Sequence, residues 1–148
     1  MTVAAAMLVS LVLALAACGG GDENASEATV AAEGGGGGAT VTAELGTADD
    51  EYALVLTPAE APAGSVTFAT TNGGALEHEL IVIATDKGAA NLGTDSGAAD
   101  EAGVIDELEL EPGASGDLTL DLATGPYAII CNIEDHYAQG MYADFTVK

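Results

Sequence analysis

Cationic side chains are almost missing from this chain of 148 residues: Lys87 and Lys148 stand alone against 24 Asp and Glu, giving a formal charge of -22. Nucleic-acid binding is excluded on that count, because neutralising phosphates takes clustered Lys and Arg. Trp is absent, and His, Cys and Met number two, two and three. Any site made of nitrogen and sulfur side chains can therefore be enumerated completely. What is present is apolar surface. Hydrophobic residues make up 49% and the mean hydropathy is +0.32, which argues against low-hydropathy disorder for the chain as a whole. The length suits one core and is short for two.

Residues 1–17, MTVAAAMLVSLVLALAA, carry no charge and end in small side chains. The run is short of the roughly 20 residues a membrane span needs, and it reads as a signal peptide. Leu15-Ala16-Ala17-Cys18 resembles the lipobox of bacterial lipoproteins. The resemblance implies that Cys18 is lipidated and becomes the first residue of an exported chain, anchored to the outer face of the cytoplasmic membrane in a periplasm or at a cell surface. The Lys or Arg usual near the start of such a signal is missing. A buried core helix with Cys18 as a small apolar residue is the other reading, and the Gly- and acid-rich tract that follows opposes it. Residues 18–38 have the composition of a flexible tether spanning roughly 25 Å root-mean-square. One domain remains, residues 39–148.

Within that domain no helical period lasts beyond two turns, while short apolar runs alternate with turn residues. The pattern predicts strands at 40–45, 52–57, 65–70, 78–84, 104–110, 118–122, 127–132 and 141–147. Between them lie Ala61-Pro62-Ala63-Gly64, Asn72-Gly73-Gly74, Glu111-Pro112-Gly113 and Thr124-Gly125-Pro126, each with the Gly or Pro of a tight turn. Seven to eight short strands make an all-β sandwich or barrel. Residues 86–102, DKGAANLGTDSGAADEA, read as a long polar loop with a helical turn at 98–102. Alternation puts Met141, Ala143, Phe145 and Val147 on the core face of the last strand, and His78, Leu80, Val82 and Ala84 on one face of the fourth. Tyr127, Ile129 and Cys131 line up together in the seventh.

After signal removal the only His, non-lipidated Cys and Met are His78, His136, Cys131 and Met141. Three of them form a C-x4-H-x4-M loop, Cys131-Asn-Ile-Glu-Asp-His136-Tyr-Ala-Gln-Gly-Met141, between the last two strands. Each residue alone has a plain structural reading, as a core Cys, a packed Met or a hydrogen-bonded His; the joint spacing favours one metal site. Two imidazoles, a thiolate and a thioether suit a soft or borderline ion and exclude Mg²⁺ or Ca²⁺, which take oxygen ligands.

The Asn72-Gly73-Gly74 turn before Glu77-His78-Glu79-Leu80, the Glu111-Pro112-Gly113 turn and the Cys131, His136, Met141 loop together resemble the cupredoxins, the small type 1 blue-copper proteins. The loop spacing looks more like auracyanin and rusticyanin than plastocyanin. The resemblance covers residues 39–148 and implies a Greek-key β-sandwich with one copper ion near one end. It implies equatorial ligands His78, Cys131 and His136, an axial Met141, and electron exit through His136. Two departures bring acids close: Glu77 stands where Asn is common, and Glu134-Asp135 where Pro-Gly usually precedes the second His.

The function so implied is a membrane-anchored electron-transfer protein cycling Cu(II)/Cu(I), a monomer whose partner is a redox protein such as a c-type cytochrome or a membrane respiratory complex. The alternative is a copper-binding lipoprotein for storage, delivery or resistance, although the tether and the 86–102 loop lack the His and Met such carriers expose. An enzyme is not expected. Nothing resembles an oxyanion loop beside Cys131, and two His cannot supply the further copper centres of nitrite reductases or multicopper oxidases. The acids are spread over most loops, which suits a solvated surface or a high-salt setting better than a patch steering a basic partner.

Overall fold

A computed structural model describes residues 38–148. The expected signal peptide, the lipid site Cys18 and the tether up to residue 37 lie outside the described residues. The strands are β1 (Ala39–Leu45), β2 (Leu54–Thr57), β3 (Glu60–Ala61), β4 (Gly64–Asn72), β5 (His78–Ala84), β6 (Thr94–Asp95), β7 (Ala98–Ala99), β8 (Val104–Leu110), β9 (Ser115–Leu122), β10 (Gly125–Ile130) and β11 (Tyr142–Val147).

Period-two alternation builds the first sheet. Val41, Ala43 and Leu45 of β1, Val66 and Phe68 of β4, and Leu118, Leu120 and Leu122 of β9 are buried, with polar side chains between them facing out. These strands form a four-stranded sheet in the order β2-β1-β4-β9, in which β1 runs parallel to β4. The second sheet has the order β3-β11-β10-β5-β8. Sheet neighbours are mostly not sequence neighbours, so the chain passes repeatedly between the layers, as a Greek-key sandwich requires. Leu80, Val82, Ile129, Phe145 and Val147 meet the first sheet in the shared core. Phe68 and Phe145 close it edge to face, with ring centroids 5.2 Å apart.

All eight expected strands are present, with ends displaced by up to three residues. The second starts at Leu54, the third runs on to Asn72, the sixth starts at Ser115, and the seventh ends at Ile130. The two-residue strands are additional to those expected, and one of them, β3, takes Ala61 from the expected turn.

The helical turn expected at 98–102 is not found: Ala98–Ala99 is β7, paired with β6 in a small hairpin, and the one helical turn of this segment is a 3₁₀ turn at Ala89–Asn91. The reason lies in the central strands. Ile81 and Ile83 of β5 and Ala128 and Ile130 of β10 present a second apolar face, away from the shared core. Central strands buried on both sides read as continuous apolar runs. Ala89, Leu92 and Ala99 cover that face, so segment 86–102 folds down as a docked flap in place of a solvated loop.

Candidate metal centre

Each candidate side chain is placed by the end of a strand. His78 is the first residue of β5 and points inward, fully buried. The turn before it is pinned by Asn72, whose buried amide donates to the carbonyls of Leu76 and Leu110, both at 2.8 Å, and accepts from the Gly74 N–H. The backbone of Asn72 is bonded to Gly113 and Ala114, where Glu111–Ala114 forms a turn closed by Ala114 N–H to Glu111 O. Pro112 and Gly113, at φ 75°, supply what a type II turn demands.

Cys131 directly follows β10. Its N–H donates to Met141 O at 3.0 Å, the Met141 N–H donates to His136 O at 3.2 Å, and the His136 N–H donates to Ile133 O at 2.9 Å. The loop is thereby bonded to itself at each expected ligand. Left-handed Asp135 (φ 68°) and Gly140 (φ 102°) bracket its 3₁₀ turn, Tyr137–Gln139.

The outcome is convergence. His78 Nδ1 lies 3.2 Å from His136 Nδ1, and the Cys131 Sγ lies 3.3 Å from His136 Nδ1 and 3.9 Å from His78 Nδ1. A first-row ion bonded at ~2.0 Å to each nitrogen and ~2.3 Å to sulfur, with angles of about 100–130° between them, holds such donors roughly 3.1–3.9 Å apart, so the three atoms fit one ion. Their chemistry agrees, since all are nitrogen or sulfur and none is a hard oxygen donor. His78 and Cys131 are inaccessible, and only an edge of His136, 5% exposed, reaches the surface. Met141 is fully buried in the same apolar cluster as Cys131.

Electrostatics follow from burial. Desolvation pushes the Cys131 thiol up to about 11, against opposing hydrogen bonds from the Glu79 and Ile133 backbone. Burial, then the neighbouring His78, lowers His136. Glu79 donates its N–H to Cys131 Sγ at 3.4 Å, while its half-buried carboxylate accepts from the Asn132 N–H at 2.8 Å. Desolvation raises this carboxyl, and the like charges of Glu107, Glu101 and Glu109 add to the rise.

Two further residues were not legible beforehand. Glu51, in the loop between β1 and β2, lies 3.1 Å from His78 Nε2 through its carboxylate. Tyr52 packs its ring edge to face on His136, with centroids 5.3 Å apart. Neither belongs to a motif, and no local sequence pattern marks them; the parallel β1–β4 pairing sets their loop beside the Asn72 turn. The acids the sequence did single out, Glu77, Glu134 and Asp135, are exposed.

No protein-family model matches this chain, and no curated protein matches it. Solved structures do. Rusticyanin from Thiobacillus ferrooxidans superposes with a TM-score of 0.60 at 15% identity, covering 74% of this chain and 76% of its own. Auracyanin B gives 0.55 at 25% identity, with 74% and 88% covered. Auracyanin A, a "blue" copper protein from the green thermophilic photosynthetic bacterium Chloroflexus aurantiacus, gives 0.56 at 22% identity, with 76% and 100% covered. The cupredoxin β-sandwich expected from the sequence is the fold found.

Proposed function

We propose that this chain is a one-electron carrier in which His78, Cys131, His136 and Met141 would hold a single type 1 copper ion. The observation that carries this is the convergence of three buried nitrogen and sulfur donors, 3.2–3.9 Å apart, on a sandwich like those of rusticyanin and auracyanin. Bound copper supplies the Cu(II)/Cu(I) couple. The residues of the chain do the rest. The self-bonded 131–141 loop and the Asn72 clamp hold the donors in one arrangement for both oxidation states, which keeps reorganisation small. The Glu79 N–H donates to the sulfur and moderates its charge. Burial excludes water and leaves the edge of His136 as the short route for an electron to a redox protein partner. A site so enclosed argues against ready handover of the ion itself, as storage or delivery would need.

Copper-loaded protein is expected to show an intense visible thiolate-to-copper charge-transfer band and reversible one-electron voltammetry. Absence of the band, or its survival in Cys131→Ala, would sink the assignment. The proposal extends to the N-terminus: Cys18 is lipidated and tethers the domain to the outer face of a membrane. Full-length protein in bacterial cells is then expected in the membrane fraction, and Cys18→Ala in the soluble one. An unmodified Cys18 by mass spectrometry would refute the anchor.

A further inference from the structure

Glu51 is 27 residues from His78 in sequence and belongs to no ligand motif, yet its carboxylate is held more closely than any other near the site. Oε1 accepts from the N–H groups of Ala75 at 2.9 Å and Leu76 at 2.8 Å, and Oε2 also accepts from Ala75. These two backbone donors, followed by His78, hold the Glu51 carboxyl below the usual carboxylate range. A carboxyl that accepts from two backbone N–H groups through its oxygens is favoured as the anion, an acceptor only. Across 3.1 Å from it stands His78 Nε2, which must carry the proton for that contact to be a hydrogen bond.

We infer that Glu51 is the positioning residue of the metal centre: it fixes the proton of His78 on Nε2, presents Nδ1 as the ligand atom, and biases the bound ion toward its oxidised state. The inference rests on the copper reading above. A carboxylate behind a metal-bound imidazole orients the ring and raises its basicity, and loss of such a partner commonly costs 10–100-fold in affinity. Added negative charge also favours the more positive of two oxidation states.

The surrounding backbone is shaped for this contact. A Cβ on Gly46 would stand 2.8 Å from His78 Nε2, and one on Gly74 would stand 2.9 Å from it and overlap the Glu51 carboxylate. Gly46 also adopts φ 63°, where glycine is favoured. Two glycines thus leave room for one carboxylate against one ring nitrogen. The next residue along, Tyr52, buttresses His136, so a single loop supports both imidazoles. The competing account is that Glu51 only caps the Ala75 and Leu76 N–H groups and touches His78 in passing.

Two measurements on the full chain separate these accounts. In metal-free protein, imidazole ¹⁵N shifts are expected to report His78 as the Nε2–H tautomer, and Glu51→Ala as a tautomer mixture. Detection of Nδ1–H in the wild type, or an unchanged tautomer in Glu51→Ala, overturns the inference. In copper-loaded protein, Glu51→Gln keeps an oxygen for the backbone donors and removes the charge. It is expected to lose about tenfold in Cu(II) over Cu(I) affinity, a rise in potential of about 59 mV for one electron. Asp121→Asn, an exposed change on β9 at the opposite end of the sandwich, controls for net charge. A shift in Glu51→Gln no larger than in Asp121→Asn overturns the inference. Failure of the copper reading looks different: the wild type itself then lacks the visible band, while the metal-free tautomer still reports on Glu51.

Discussion

Cys131 keeps its proton in the metal-free protein, although His136 Nδ1 is only 3.3 Å away. A thiolate–imidazolium pair would need both groups to charge, and burial opposes each: the thiol is pushed up to about 11 and the imidazole is lowered. The neutral pair wins, and the thiolate is a minor form at pH 8. A bound ion then has to displace that proton, so loading releases acid. Alkylation by iodoacetamide at pH 8, in metal-free Cys18→Ala protein, is expected to run at least ~100-fold slower than in the same protein unfolded in urea. Comparable rates would show Cys131 to be an activated thiol and would contradict a neutral donor set awaiting a metal.

Between elements, the flap over β5 and β10 is bonded to the ligand loop from both sides. The Tyr137 hydroxyl donates to Ala89 O at 2.6 Å and accepts from the Leu92 N–H at 3.2 Å. Asn132 Oδ1 accepts from the Ala99 N–H at 2.6 Å, and its amide donates to Ala99 O and to Glu101. Tyr137 follows His136 and Asn132 follows Cys131, so the flap steadies the residues adjoining two proposed ligands. Tyr137→Phe leaves a buried N–H and a buried carbonyl without partners, at a cost of about 2 kcal/mol in total. Chemical denaturation of the metal-free protein measures that loss, and hydrogen exchange at Leu92 should quicken; a loss under about 0.5 kcal/mol would show the clasp to be dispensable. The flap is also the part of the fold least legible in the sequence. Strand β5 was legible from its apolar run and the ligand loop from its local spacing, whereas DKGAANLGTDSGAADEA has no period of its own. Its conformation comes from the apolar face of β5 and β10 that it covers and from hydrogen bonds to Tyr137 and Asn132, roughly 30–50 residues away. Glu51 escaped for the same reason, since its contact with His78 exists only once β1 and β4 lie parallel.

At the scale of the whole molecule the dominant quantity is charge. Four of the 24 acids, Asp22, Glu23, Glu27 and Glu33, precede the described residues, which leaves 20 on the domain against Lys87 and Lys148. Of those two cations, Lys148 pairs with Glu60, and both members are exposed. Exposed pairs contribute little, so they do not offset repulsion among the remaining carboxylates. Even the edge strand β8 presents Asp106, Glu107 and Glu109. These charges guard it against pairing with another chain while adding to the total. Self-repulsion of this kind opposes the compact state and is relieved by screening, as the Debye length falls from ~30 Å at 0.01 M salt to ~3 Å at 1 M. Each ~1 kcal/mol regained raises the melting temperature of a domain this size by about 4–8 °C. The domain is therefore expected to melt at least ~5 °C higher in 1 M than in 0.01 M sodium chloride. Sucrose at matched osmolality acts through exclusion from the surface and leaves the repulsion unscreened, so it serves as the comparison. A melting temperature indifferent to salt, or one that sucrose raises equally, would mean that the carboxylates are too well solvated to strain the fold. The same field bears on attachment. An anionic bilayer repels such a domain, so adding salt should leave a lipid-anchored chain on the membrane, where attachment through basic residues would be lost.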